Sequence, residues 1–147
     1  MDVFKDMLKK ILDAPVCQVA KILGEILQSK IELKVIDQTT TLNNQNERNV
    51  EIIANGLPII KAFVKFDSSI LPKVILREIL MKKYGIGTIL NKNNIIVTRN
   101  IISLKNDLEN KIVSRKYEIN HNGTTWFTVV EKIILDNFYS NKNRGSS

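Results

Sequence analysis

Two Asn-Gly pairs, Asn55-Gly56 and Asn122-Gly123, constrain this 147-residue chain more than any other feature. Each is flanked by residues that alternate between apolar and polar. An Asn-Gly pair accepts positive φ at both positions, which the tightest β-hairpin turns demand. The runs around the first pair, 48–54 and 58–66, therefore read as two antiparallel strands, as do 111–120 and 124–135 around the second. Two more extended runs, Ile31-Glu32-Leu33-Lys34-Val35 and 95–105, supply the rest of a sheet.

Helical spacing appears elsewhere. Phe4, Met7, Leu8, Ile11 and Leu12 fall on one face of a helix. Asp13-Ala14-Pro15 ends it, since a proline disfavours helical geometry in the residue before it. Val16, Val19, Ala20, Leu23, Ile26 and Leu27 form the stripe of a second helix. Ser68 or Ser69 can cap a third, with Pro72 in its first turn. That helix runs to about Lys83, where Gly85 is suited to stop it in the left-handed conformation. The polar segment Gln38–Asn46 reads as a mobile loop. Residues 1–138 read as one domain and 139–147 as a polar, disordered tail. About six strands and three helices with short connections give an α+β fold, an antiparallel sheet covered by helices.

Composition narrows the chemistry. The net charge of +7 invites a nucleic-acid partner, but the 22 Lys and Arg are scattered, with no run longer than a pair. No zinc-finger spacing or aromatic-rich RNA-binding signature accompanies them, so nucleic acid is not expected as a partner. A positive field also draws in small polyanions. No stretch approaches the ~20 apolar residues that span a bilayer, so no membrane partner is expected. A single cysteine, Cys17, and an N-terminus unlike a signal peptide suggest the cytoplasm. His121 is the only histidine and lies beside a turn, which argues against a catalytic triad or a histidine metal site. Gly85-Ile86-Gly87 lacks the preceding strand of a phosphate-binding loop.

Four charges fall on apolar faces. Glu131 alternates in step with Phe127, Val129, Ile133 and Leu135. Arg48 shares a face with Val50, Ile52 and Ala54; Arg99 with Val97 and Ile101; Arg115 with Tyr117 and Ile119. Burying an unpaired charge costs several kcal/mol, so each needs a partner. Two readings fit. Arg115 and Glu131 can pair across the second hairpin, with Arg48 in solvent near its strand's start. Alternatively, the charges line a pocket between sheet and helices, where an arginine fork takes a carboxylate and the glutamate meets a hydroxyl or proton.

The segment Arg48–Pro58 resembles the Arg–strand–Gly–x–Pro hairpin of chorismate pyruvate-lyases. Tyr84–Leu90, Thr98-Arg99 and Val129-Val130-Glu131 are similar to later motifs of that family, in the same order, and the similarity covers most of the chain. The match is to a short archaeal and actinobacterial branch. The resemblance implies six antiparallel strands with helices on one side, and conversion of chorismate to 4-hydroxybenzoate and pyruvate without metal or organic cofactor. It implies that Arg48 holds the ring carboxylate, that Glu131 lies at the hydroxyl end, and that backbone at Ile86 and Gly87 meets the ligand. Arg99 or Lys61 would take the second carboxylate. A carboxylate on an apolar face suits proton acceptance, and aromatisation makes the elimination downhill, so positioning matters most. Phe63 stands where bacterial members carry a further arginine. Lys61 or Lys65 would have to substitute, though both lie on the opposite side of the alternation. The effector-binding domains of winged-helix transcription regulators resemble the same fold, so a non-catalytic sensor of an aromatic acid is the alternative.

Overall fold

The computed structural model describes residues 3–16 and 18–145; Cys17 and the last two residues of the expected tail lie outside them. Two helices, α1 (Val3–Asp13) and α2 (Val19–Leu27), lead into β1 (Ile31–Thr40), β2 (Gln45–Ala54) and β3 (Leu57–Asp67). Helices α3 (Lys73–Leu80) and α4 (Ile86–Lys92) precede β4 (Thr98–Asp107), β5 (Ile112–His121) and β6 (Thr124–Ile134), and α5 (Leu135–Gly145) closes the chain. The strands form one six-stranded antiparallel sheet in the order β1-β2-β3-β6-β5-β4. The fold is α+β, as the pattern of elements predicts.

Both Asn-Gly pairs turn as their chemistry requires. Asn55 and Gly56 have φ of 51° and 77°, and Asn122 and Gly123 have 49° and 79°. The two three-strand meanders meet where β3 pairs with β6, setting Ala62 opposite Glu131 and Val64 opposite Val129. One sheet face carries the helices. Beneath α3 and α4, Ile75, Ile79, Ile89 and Leu90 pack with Phe66 and Phe127. Beneath α1, α2 and α5, Ile11, Leu23, Leu27 and Phe138 pack with Ile60 and Ile133. Lys61, Lys65 and Lys132 point from the opposite face and are exposed.

Several boundaries differ from the sequence expectation. Most of Gln38–Asn46 is strand and not loop. β1 continues through a bulge at Val35/Asp37 to Thr40, and β2 starts at Gln45. Its polar residues pair across strands, as Thr40 Oγ1 does with Asn46 Oδ1 at 2.7 Å. The third helix is shorter: Asp67, rather than a serine, caps a 3-10 turn at Ser68–Ile70, and α3 ends at Leu80. Gly85 is extended, with φ of −71°, and Lys82 takes the left-handed conformation instead. Where a disordered tail was expected from 139, α5 runs to Gly145 and fully buries Asn141, which receives a 2.8 Å hydrogen bond from Asn55. Among the described residues no helix is long and apolar enough to cross a membrane.

Candidate functional site

A cavity of about 100 Å³ lies where α2 and α4 both reach the sheet. Val16, Val19 and Ala20 cover it from one side, and Gly85, Ile86, Gly87 and Thr88 from another. Its floor is the helix-facing side of the sheet, including Val50, Ala62, Val64 and Val129. The lining is apolar apart from Thr88, Tyr117 and Glu131.

Glu131 is buried, and both its oxygens are engaged. Oε1 accepts from Arg115 Nε at 2.6 Å, and Oε2 accepts from the Tyr117 hydroxyl at 2.6 Å. The pairing follows from the sheet: Arg115 is directly opposite Glu131, and Tyr117 is two residues along β5 on the same face. Arg115 is only 3% exposed, so the attraction acts where water screens little. Burial first, and then the charge of Glu131, push the Tyr117 phenol well above its ordinary value. It therefore stays protonated as the donor to Glu131 at neutral pH.

Arg99 and Arg115 sit against Tyr117, their guanidinium carbons 5.3 and 5.1 Å from its ring centroid. Both reach the end of α1. Arg99 Nη2 donates to the carbonyls of Leu12 at 3.0 Å and Ala14 at 2.9 Å, and Arg115 Nη1 donates to that of Leu12 at 2.7 Å. Burial, followed by the charge of Arg115, pulls the Arg99 guanidinium below its ordinary value. Arg99 Nη1 and Arg115 Nη2 are buried with no hydrogen-bond partner.

Arg48 is fully buried, not in solvent. Its Nε donates to Gln38 Oε1 at 2.8 Å, Nη1 to the Tyr84 carbonyl at 2.9 Å and Nη2 to the Ile79 carbonyl at 3.2 Å. The cation thus caps the C-terminal end of α3, where carbonyl dipoles favour positive charge. Burial lowers its pKa to about 10, so it remains charged at neutral pH. Arg48 is not among the residues lining the cavity; it fixes the chain immediately before Gly85-Ile86-Gly87, which are.

The structure thus brings Glu131, Ile86 and Gly87 to one cavity and leaves Arg48 behind its wall. Arg99 borders an adjoining groove that shares Val16 and Gly87 with the cavity. Lys61 is on the other sheet face, 3.9 Å from Glu51. Tyr117 was not singled out from the sequence. Its signal was its place two residues from Arg115 on the same strand face. Among the described residues no cluster of His, Cys, Asp and Glu could hold a metal ion.

No protein-family model matches the sequence, and no curated protein sequence does. The fold is similar to that of a GntR-family transcriptional regulator from Bacillus cereus, with a TM-score of 0.50, 16% identity, and coverage of 74% of this chain and 94% of that one. It is also similar to the effector domain of PhnF from Mycobacterium smegmatis, with a TM-score of 0.59, 8% identity and coverage of 84% and 91%. Against the longer PhnF structure the TM-score is 0.58 at 10% identity, and the chain spans 65% of that protein. At these identities the likeness establishes the architecture alone, a six-stranded antiparallel sheet with helices that this chain shares with those proteins.

Proposed function

We propose that this chain binds a small aromatic carboxylic acid between sheet and helices and eliminates pyruvate from chorismate to leave 4-hydroxybenzoate. One observation carries the reading: Glu131 and Tyr117, hydrogen-bonded to each other, are the charged and phenolic members of a cavity lining that is apolar but for them and Thr88. A few placed polar groups in an apolar cavity are what orient a small ligand. In the elimination, the bond from ring C3 to the enolpyruvyl oxygen breaks and the C4 proton leaves to Glu131. The enolpyruvate leaves, takes up a proton and becomes pyruvate, while the ring becomes aromatic. Arg115, paired with Glu131 at 2.6 Å, fixes the position of the carboxylate that accepts the proton. The cavity, at about 100 Å³, is below the roughly 300 Å³ at which ligand pockets begin. Entry of an aromatic acid therefore requires the cavity to widen.

The second reading is a sensor that binds such an acid without turnover. The closed Arg115–Glu131–Tyr117 network favours it, because both oxygens of the carboxylate already have partners. Incubation with chorismate and no added metal, followed by chromatography, separates the two. The lyase reading expects 4-hydroxybenzoate, with turnover lost in Glu131→Gln while circular dichroism stays native. Binding of 4-hydroxybenzoate without product from chorismate makes the chain a sensor. Neither binding nor product overturns both.

A further inference from the structure

We infer that Arg99 and Arg115 together form the subsite for the ligand's anionic group, a carboxylate or phosphate, in place of Arg48. The inference rests on the cavity being the ligand site. Two guanidiniums converge here on one oxygen: Arg99 Nη2 and Arg115 Nη1 lie 3.0 and 2.7 Å from the Leu12 carbonyl. A single carboxylate, Glu131, pairs directly with the cluster, and it pairs only with Arg115. Glu131 also attracts Arg99 without pairing with it, and Asp13 adds a weaker attraction from an exposed position. One positive charge is left without a direct ion-pair partner.

The donors are in excess as well. Buried polar atoms are normally hydrogen-bonded. Among the described residues only three buried side-chain nitrogen or oxygen atoms lack a partner, and two are Arg99 Nη1 and Arg115 Nη2. The acceptors that are present, the carbonyls of Leu12 and Ala14, are weak substitutes for an anion. They carry partial charge only, and they come from the end of α1 and the residue that follows it. An oxyanion arriving beside them would replace those carbonyls and meet the two free nitrogens. Arg48 has no such vacancy, since each of its three nitrogens already has an acceptor. The Tyr117 ring lies against both arginines and lines the cavity, so an acid held here would place its body on the apolar floor.

Two measurements test this. The first compares 4-hydroxybenzoate with 4-hydroxybenzamide, its neutral counterpart, by calorimetric titration. Wild type should prefer the acid. Arg99→Gln should weaken the acid about tenfold to a hundredfold, the range for a charge-assisted hydrogen bond, and leave the amide unchanged. Arg99→Lys, which keeps the charge without the fork, should fall between. An acid preference that survives in Arg99→Gln overturns the arginine subsite while leaving the cavity reading intact. The second follows the melting temperature with inorganic phosphate, which needs no aromatic body. Stabilisation of wild type that is absent from Arg99→Gln supports the subsite even if neither aromatic probe binds, which would refute only the cavity reading. Equal phosphate shifts in the two proteins overturn the subsite.

Discussion

Arg48 is a cation without a carboxylate, and its three acceptors come from separate parts of the chain: the Gln38 side chain on β1, the end of α3, and Tyr84 before α4. Such an arrangement holds because each nitrogen is satisfied and because the end of a helix is electrically negative. Removing the guanidinium while keeping the volume should expose the dependence. Arg48→Met removes the donor to the part-buried Tyr84 carbonyl, at about 1–3 kcal/mol for an unsatisfied group, and leaves the Ile79 carbonyl with the Lys82 N–H at 3.1 Å. Urea denaturation should show a loss of about 1–3 kcal/mol with little change in slope. A loss below about 0.5 kcal/mol would mean that Arg48 is not holding α3 and α4 to the sheet. The family resemblance gave Arg48 a partner in the ligand, because two of its three acceptors are backbone carbonyls more than 30 residues away, and backbone atoms leave no mark in a composition pattern.

The connection from α3 to α4 shapes the cavity, and Gly85 is its tightest point. A Cβ there would come within 2.6 Å of Leu33 Cδ1. Both residues line the cavity, and Leu33 is a side-chain end that can turn away. Gly85→Ala should therefore cost little stability, about 1 kcal/mol or less for a small side-chain rearrangement, yet push Leu33 into the space a ligand needs. Titration with 4-hydroxybenzoate should show at least a tenfold loss of affinity alongside a near-native melting temperature; unchanged affinity would remove this wall from the site. The strands and hairpins were legible because period-two alternation and Asn-Gly chemistry are local signals. The Arg115–Glu131 pair was only half legible. Straight counting from the Asn122-Gly123 turn sets Arg115 opposite Val130, which would send Glu131 to the other face. A bulge between Ile119 and Asn120 of β5 moves the register by one, with Trp126 as the extra residue, and brings Glu131 onto Arg115. Both Trp126 and Phe127 are buried, so alternation breaks at that point and gives no warning. Helix α4 escaped notice because its seven residues are too short to show a period.

At the scale of the whole molecule, the buried charges should appear in how stability varies with alkaline pH. Tyr117 and Arg48 act with opposite signs. The Tyr117 value is raised in the folded state, so the folded protein holds that proton after the unfolded chain has released it. Its contribution is complete below about pH 10, the ordinary tyrosine value, and is lost as pH rises from there toward the folded value. Arg48 is lowered in the folded state to about 10, below the ordinary arginine value. Its burial cost is therefore constant below about pH 10 and is relieved as pH rises from there toward the ordinary arginine value. Comparing variants isolates each contribution from the lysines and other tyrosines that titrate in the same range. Tyr117→Phe should be less stable than wild type at pH 7, by about 1–2 kcal/mol for the lost hydrogen bond to a charged acceptor. Above about pH 10 the gap should close, at up to about 1.4 kcal/mol per pH unit, because only wild type has a phenol left to ionise. Chemical denaturation at intervals from pH 7 to 11 measures the difference directly. A gap that stays constant over that range would show that the Tyr117 hydroxyl is not held by burial beside Glu131. The network on which both the proposed proton acceptor and the arginine subsite depend would then be looser than its 2.6 Å contacts describe.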